Sequence, residues 1–393
     1  MIKLSGRPGS SPIEFRPAGR EARIYVCGIT PYDASHLGHV ATFMTYDVMI
    51  RRLRQLGYDT RMVRNITDLD DPIAPKVREL QVEYFDLVDG EIAQFRQDMD
   101  QLGMIRPDVE PRVSELIPEV HEFIGELTAN GYTYQIDDVL YFDTARAKNF
   151  GAQSGFADDL LIHYARERGG QPDNPKLRNR LDFVLWRPSR EAEPQIQSPY
   201  GAGMPGWHIG CSTMLRKYFG ESVDLHGGGI DLVFPHHEGE AAQTMALQDE
   251  PFVRTWHRCE FVSYQGAKMS KSLGNIVLAR DLLARHEPGA VRLAILRHYR
   301  YTAGFEWRDR DIAAGERLLA VLRAAAHRSD GPDPRPFEDA FYAAIDDDLD
   351  FPGAVDELES LAHATLSGGS SADAGATLRT MAATLGVDLT TPA

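Results

Sequence analysis

The chain has 393 residues, 43% hydrophobic and 25% charged, enough for two or three packed domains of ordinary globular character. A net charge of −16 argues against a large nucleic-acid footprint, and three cysteines, Cys27, Cys211 and Cys259, make no disulfide framework. No apolar run is long enough to cross a bilayer, and residues 1–19 lack the basic start and apolar stretch of a secretory signal, so a cytoplasmic location is expected.

In chain order, residues 23–27 (RIYVC) read as a short apolar strand, followed by a turn at 28–31. Val40, Phe43, Met44, Val48 and Leu53 then recur near helical spacing, and residues 60–65 read as the next strand. Strand, turn, helix and strand form the unit of a parallel α/β sheet. Residues 105–200 carry scattered short elements and a polar loop at 166–179, which reads as an insertion. Strand-like segments return at 222–225 and 260–263. Residues 280–328 read as helical, with Leu282, Leu283, Leu293, Leu296, Leu318, Leu319 and Leu322 on apolar faces. A breaker at 329–336 precedes a last helical region, interrupted by a loop at 367–371. From Gly331 onward there are twelve Asp and Glu against Arg335 and Arg379, a composition poorly suited to a phosphate backbone.

The chemistry-bearing strings are few. His36-Leu37-Gly38-His39 lies between strand and helix, where unpaired N–H groups favour phosphate. Two histidines can donate to phosphate oxygens, and Gly38 is expected to let a nucleotide approach the backbone. Alone, the string is a weak signal and reads first as ordinary turn histidines. Lys268-Met269-Ser270-Lys271-Ser272, followed by Leu273-Gly274-Asn275, sets two lysines in a small polar loop suited to a pyrophosphate leaving group; alone it is also a solvated basic turn. His236 and Glu240 are four apart and share a face if helical; with Cys27 and Cys211 they form a plausible zinc set. His237 and Glu238 are rival ligands, and a single cysteine reads equally as a small buried hydrophobe.

The two strings, in this order, resemble the HIGH and KMSKS signatures of class I aminoacyl-tRNA synthetases. The segments YVCGITPYD, NITDLDD, LDFVLW, PGWHIGCS, GGGIDLVFPHHEGE and KMSKSLGN are similar to cysteinyl-tRNA synthetase through nearly the whole chain. That resemblance implies a Rossmann-like parallel sheet with an inserted connective domain and C-terminal helices. The boundaries expected are 1–104 and 201–279 for the two catalytic halves, 105–200 for the insertion, 280–330 for a helical stem-contact region and 331–393 for a C-terminal helical region. It also implies zinc on Cys27, Cys211, His236 and Glu240, holding the substrate thiolate, with Glu240 displaced by substrate. Zinc prefers thiolate over a neutral hydroxyl, which separates cysteine from its near-isostere serine.

A second family with this machinery, the mycothiol ligases, joins cysteine to the amine of glucosaminyl-inositol. ITPYDASHLGH, Asp71-Pro72, NFGAQSG at 149–155, ERGGQP at 167–172 and LGVDL at 385–389 resemble that family, and the chain ends where a cysteinyl-tRNA synthetase would continue into an anticodon-binding domain. Gln171, Gly210 and Glu240 depart from its pattern and leave another small amine open as acceptor. The resemblance implies catalysis by His36, His39, Lys268 and Lys271. Substrate and adenylate would be held by Cys27, Gly28, Ile29, Thr30, Thr42, Asn65, Ile66, Thr67, Trp207, Gly229, Ile230, Asp231 and Val262. L-Cysteine, ATP with Mg2+ and an amine are the implied substrates, for a cytoplasmic monomer that does not use tRNA. A truncated synthetase and a zinc-dependent sensor are the alternatives.

Overall fold

The computed structural model describes residues 1–7, 9–32, 35–269 and 273–390. Ala22, Ile24, Tyr25 and Val26 are fully buried, so the first strand is covered on both faces, as a parallel strand must be. It runs Glu21–Ile29, and the helix that follows, Leu37–Gln55, turns Val40, Phe43, Met44, Val48 and Leu53 inward. The chain returns in the strand Asp59–Ile66. Both strands are longer than the apolar runs at 23–27 and 60–65: Glu21 pairs with Asp59 and Ala22 with Thr60 at one end, and Ile29 with Ile66 at the other.

The central sheet is wholly parallel, in the order Val253–Cys259, Val223–Gly229, Glu21–Ile29, Asp59–Ile66. Single bridges Val63–Val109 and Ile66–Arg112 extend it by one more edge segment. Glu21–Ile29 and Val223–Gly229 are neighbours from which the chain proceeds in opposite directions across the sheet. The crevice beyond their C-terminal ends is the switch point where open α/β sheets bind ligands.

The insertion has its own antiparallel sheet, Thr133–Ile136, Val139–Phe142, Phe183–Pro188 and Gly203–Pro205, over a separate core that includes Phe123, Phe142, Phe183 and Trp186. Its helix Asp158–Glu167 takes in Arg166 and Glu167, which the sequence places in a loop. The helix Trp207–Phe219 leads back to the central sheet.

Two expectations are corrected. The strand expected at 260–263 is two strands, Val253–Cys259 and Val262–Tyr264. The first was hidden because its sequence, VRTWHRC, lacks apolar alternation: His257 and Arg258 are buried by ring and hydrogen-bond partners instead. The helical stretch at 280–328 is broken by a strand, Phe305–Trp307, which pairs in parallel with Val262–Tyr264.

The C-terminal helices, Arg335–Asp346, Phe351–Leu366 and Ala374–Thr384, are tied to the catalytic half through Arg292. This fully buried guanidinium pairs with Asp47 of the first helix and donates to the carbonyls of Leu385 (2.8 Å) and Leu102 (3.2 Å). Leu385, Val387 and Leu389 of the LGVDL string are therefore buried.

Candidate active site

At the C-terminal ends of the two central strands the backbone brings four distant residues together. The ligand atoms of Cys27, Cys211, His236 and Glu240 all lie within 4.8 Å of one another, and all four side chains are buried. An overlapping set, Cys27, His226, His237 and Glu240, meets the same distance. His236 sits in a π-helical turn, Val233–His237, rather than on the α-helix that carries Glu240, Glu238–Met245. Its Nε2 is nonetheless 3.6 Å from Glu240 Oε1.

The donor set fits a metal ion. Neither Glu240 oxygen makes a well-formed hydrogen bond, although His226 Nε2 lies 3.0 Å from one and His236 Nε2 3.6 Å from the other. A bare carboxylate in such a place is costly. Burial pushes the Cys27 thiol well up and the His236 imidazole down to about 3, so His236 is neutral, as a ligand must be. The second nitrogen of His236 is engaged: its Nδ1 is 3.0 Å from His208 Nδ1. The Trp207 indole stacks on the His236 ring at 4.4 Å, fixing its plane.

The HLGH string forms the start of the first helix. His36 is the N-cap, and its Nδ1 accepts from the Gly38 amide at 3.1 Å. His39 Nδ1 accepts from the His36 amide at 3.4 Å, and the two rings stack at 4.0 Å. With each Nδ1 accepting, each neutral ring carries its proton on Nε2, so both present a donor. Burial, with the charge of Lys268, holds His39 down to about 4. Gly38 lines the cleft, and it has a further reason to be glycine: a Cβ there would come within 2.8 Å of the His36 ring, so the glycine also makes room for the cap.

Lys268 Nζ lies 3.2 Å from Asp231 Oδ2 and 3.8 Å from the Phe261 ring centre. The Asn275 amide donates to the carbonyls of Tyr264 (2.8 Å) and Lys268 (3.3 Å), closing the base of the KMSKS segment. Lys271, with Ser270 and Ser272, lies outside the described residues.

A cleft of about 1280 Å³ joins these features. Cys27 and Trp207 line one part of it, His36, His39 and Lys268 another, and residues 168–171 of the insertion a third.

The family model for the tRNA synthetases class I (C) catalytic domain matches residues 15–316. The chain belongs to the class I (C) tRNA-synthetase family. It is 41% identical over 379 residues to the L-cysteine:1D-myo-inositol 2-amino-2-deoxy-alpha-D-glucopyranoside ligase of Thermobispora bispora, covering 96% of this chain and 93% of that protein. It is 39% identical over 355 residues to the cysteine–tRNA ligase of Aquifex aeolicus, covering 86% of this chain and 71% of that protein. The Mycobacterium tuberculosis methionyl-tRNA synthetase bound to methionyl-adenylate shares the fold, with a TM-score of 0.66 at 17% identity over 93% of this chain and 88% of that one. The chain is thus a ligase of the class I synthetase type.

Within this synthetase fold, Gly28, Ile29, Thr30, Thr42, Gly229 and Asp231 also line the cleft. Asn65, Ile66, Thr67, Ile230 and Val262 are not among its lining residues. Asn65 stands behind the wall, accepting from the Gly28 amide (2.9 Å) and donating to Thr67 Oγ1 (2.9 Å). A Cβ on Gly28 would collide with the Asn65 carbonyl, so this pair of strands admits only glycine there.

Sequence reasoning missed two groups. Asp70 lines the cleft and accepts from Thr30 Oγ1 at 3.0 Å; burial pushes its carboxyl up to about 7, giving the cleft a group that exchanges a proton near neutral pH. Arg168 of the ERGG string donates to the carbonyls of Asp231 and Phe234, clamping the insertion to the turn that carries Asp231. Asp71-Pro72, by contrast, flagged only the neighbour of Asp70. Among the described residues, no helix is long and apolar enough to cross a membrane.

Proposed function

We propose that this enzyme activates L-cysteine with ATP and transfers the cysteinyl group to the amine of glucosaminyl-inositol, forming an amide. The observation that carries the reading is one cleft that meets the Cys-His-Glu cluster at Cys27, the other three cluster residues lying behind its wall, and that reaches two tautomer-fixed histidines and a lysine. Naming of the ligase relatives for this reaction, at about 40% identity over nearly the whole chain, supports the acceptor.

Zinc held by Cys27, Cys211 and His236, with Glu240 as the fourth group, would supply a Lewis acid for the substrate thiolate. Trp207 keeps the His236 ring in plane. The cysteine carboxylate attacks the α-phosphorus of ATP; its P–O bond to the β-phosphate breaks and pyrophosphate leaves with Mg2+. His36 and His39 donate from Nε2 to phosphate oxygens, and Lys268 and Lys271 meet the charge on the leaving group. The acceptor nitrogen then attacks the activated carbonyl carbon, the C–O bond to AMP breaks, and the amine loses a proton.

Of the departures from the ligase pattern, Gly210 sits in the interior: a Cβ there would come within 2.9 Å of Val113, and the residue does not line the cleft. Gln171 does line it, so selectivity for the acceptor rests there, and a different aminosugar is the second reading. On our proposal the enzyme works in the cytoplasm as a monomer and does not charge tRNA. The acidic surface from Gly331 onward repels a phosphate backbone.

The test is AMP release by the purified enzyme with cysteine and ATP, offering glucosaminyl-inositol, other aminosugars and tRNA in turn. Acceptor-dependent release with glucosaminyl-inositol alone is expected. Efficient cysteinylation of tRNA overturns the reading; turnover with another amine only keeps the mechanism and removes the acceptor.

A further inference from the structure

His237 is the rival to His236 in the sequence and belongs to the overlapping ligand set, yet its surroundings fix a different task. Its Nδ1 lies 3.3 Å from Arg258 Nε, which donates to it. A guanidinium has no lone pair to offer, so Nδ1 must be the unprotonated nitrogen and Nε2 carries the hydrogen. Nε2 is 3.7 Å from Cys27 Sγ. A ring that holds its proton on the nitrogen facing the sulfur is a donor to that sulfur and cannot ligate a metal through the same atom. The two overlapping ligand sets are thereby separated: His236 keeps a nitrogen free to take a metal ion, and His237 turns its N–H to the Cys27 sulfur.

Arg258 is itself held. The Gln153 amide, oriented by two donors, accepts from Arg258 NH2 (3.0 Å) and from Trp256 Nε1 (2.6 Å). Gln153 belongs to the NFGAQSG string, and that loop is anchored next to His237: the Glu238 carboxylate accepts from the amides of Gly151 (2.8 Å) and Ser154 (2.9 Å). The His237 ring packs between those of His226 (4.7 Å) and Trp256 (5.0 Å). His237, Glu238 and Arg258 are 3% exposed or less, so water does not compete for these bonds.

We propose that His237 is a positioning residue of the metal site, an N–H donor to the Cys27 thiolate held in that tautomer by Arg258, with the 149–155 loop of the insertion holding Arg258. The proposal rests on the reading of Cys27, Cys211 and His236 as the metal ligands. Its purpose follows from charge. Two protein thiolates and a substrate thiolate on one ion accumulate negative charge, and a hydrogen bond to Cys27 withdraws part of it. The ion then keeps the acidity that a third sulfur requires. It also assigns the NFGAQSG string to the metal site and not to the acceptor.

The test uses the full-length protein with cobalt(II) in place of zinc, read by its sulfur-to-cobalt charge-transfer bands, and zinc affinity by chelator competition. In H237F the ring remains but the donor is lost. Its band moves to lower energy and its zinc affinity falls about tenfold or more, the scale of other outer-shell losses. H237Q, whose amide N–H can replace the donor, restores both toward wild type. R258M leaves His237 in place but frees its tautomer, and gives a shift in the same direction; it decides the matter should H237F not fold. Wild-type band energy and affinity in H237F or R258M overturn the relay. Absence of thiolate bands in wild type overturns the metal reading on which it rests.

Discussion

Cys27, Cys211, His236 and Glu240, which meet the sheet end of the cleft through Cys27, are at most 6% exposed; Trp207 stacks on His236, and His237 lies against Cys27. At the other end the Lys268 side chain is 53% exposed, its Asp231 partner 38%, and a single ion pair joins them. On the proposed function, the difference follows from what each end would do. Distinguishing a thiol from a hydroxyl requires ligands already in place before substrate arrives, because a near-isostere is rejected only by rigid, specific chemistry. Holding a polyphosphate that must depart requires the opposite. An exposed ion pair is worth about 1 kcal/mol or less, so Lys268 can exchange Asp231 for phosphate oxygens at little cost.

The sharpest way to break this comparison is at the dry end. C211A removes a first ligand from the cluster, and the loss of zinc retention and of cysteine-dependent ATP–pyrophosphate exchange should exceed about a hundredfold, more than is typical of outer-shell changes. Metal analysis of wild type should give one zinc per chain. Undiminished zinc in C211A would remove Cys211 from the site.

At the exposed end the expected effect is smaller and of another kind. K268A should slow exchange by about a hundredfold while leaving the KM for cysteine and the zinc content unchanged, and K271A, whose position lies outside the described residues, should do the same, since on the proposed mechanism both lysines meet charge that appears only as pyrophosphate leaves. A raised cysteine KM with an unchanged rate in either variant would mean that the lysine binds cysteine instead, and that the division between the two ends is wrong.

The two ends were also unequally legible in the sequence. Cys27 and the HLGH string stand next to an apolar run and a helical period, so strand, turn and helix could be read from residues 23–53. The meeting of Cys211, His236 and Glu240 with Cys27 could not, since periodicity carries no information on which distant segments touch; family resemblance supplied it. His237 against His236 is a sharper case. Two adjacent histidines are indistinguishable by residue type; the resemblance chose His236, and the Arg258 guanidinium on one ring and His208 on the other supply a physical reason for the choice. Arg258 was itself obscured by the polar strand Val253–Cys259, which reads as no strand at all. Asp70 was missed because its significance lies in burial and a bond from Thr30, neither of which has a local signature.

The last and smallest effect concerns the wall behind the dry end. His257 is fully buried on the outermost strand of the central sheet, with Nδ1 3.2 Å from the Tyr46 hydroxyl and its ring 4.4 Å from that of Tyr301. Burial, with the nearby Arg258 charge, pushes it down to about 3. In the unfolded chain it titrates near the ordinary histidine value of about 6.5. Between those values the unfolded state binds the proton and the folded state does not. Stability is therefore complete above about pH 6.5 and is lost as pH falls through the window below it, by up to about 1.4 kcal/mol per pH unit for this one group. Other buried groups, His39, His236 and Asp70 among them, add their own slopes to the wild type, so urea unfolding at pH 7, 6 and 5 should be read as the difference between wild type and H257N: the variant, lower in stability at pH 7, should have a slope smaller by about that much. Identical slopes in wild type and variant would mean that His257 accepts its proton in the folded protein, and that the wall is wetter than its packing implies.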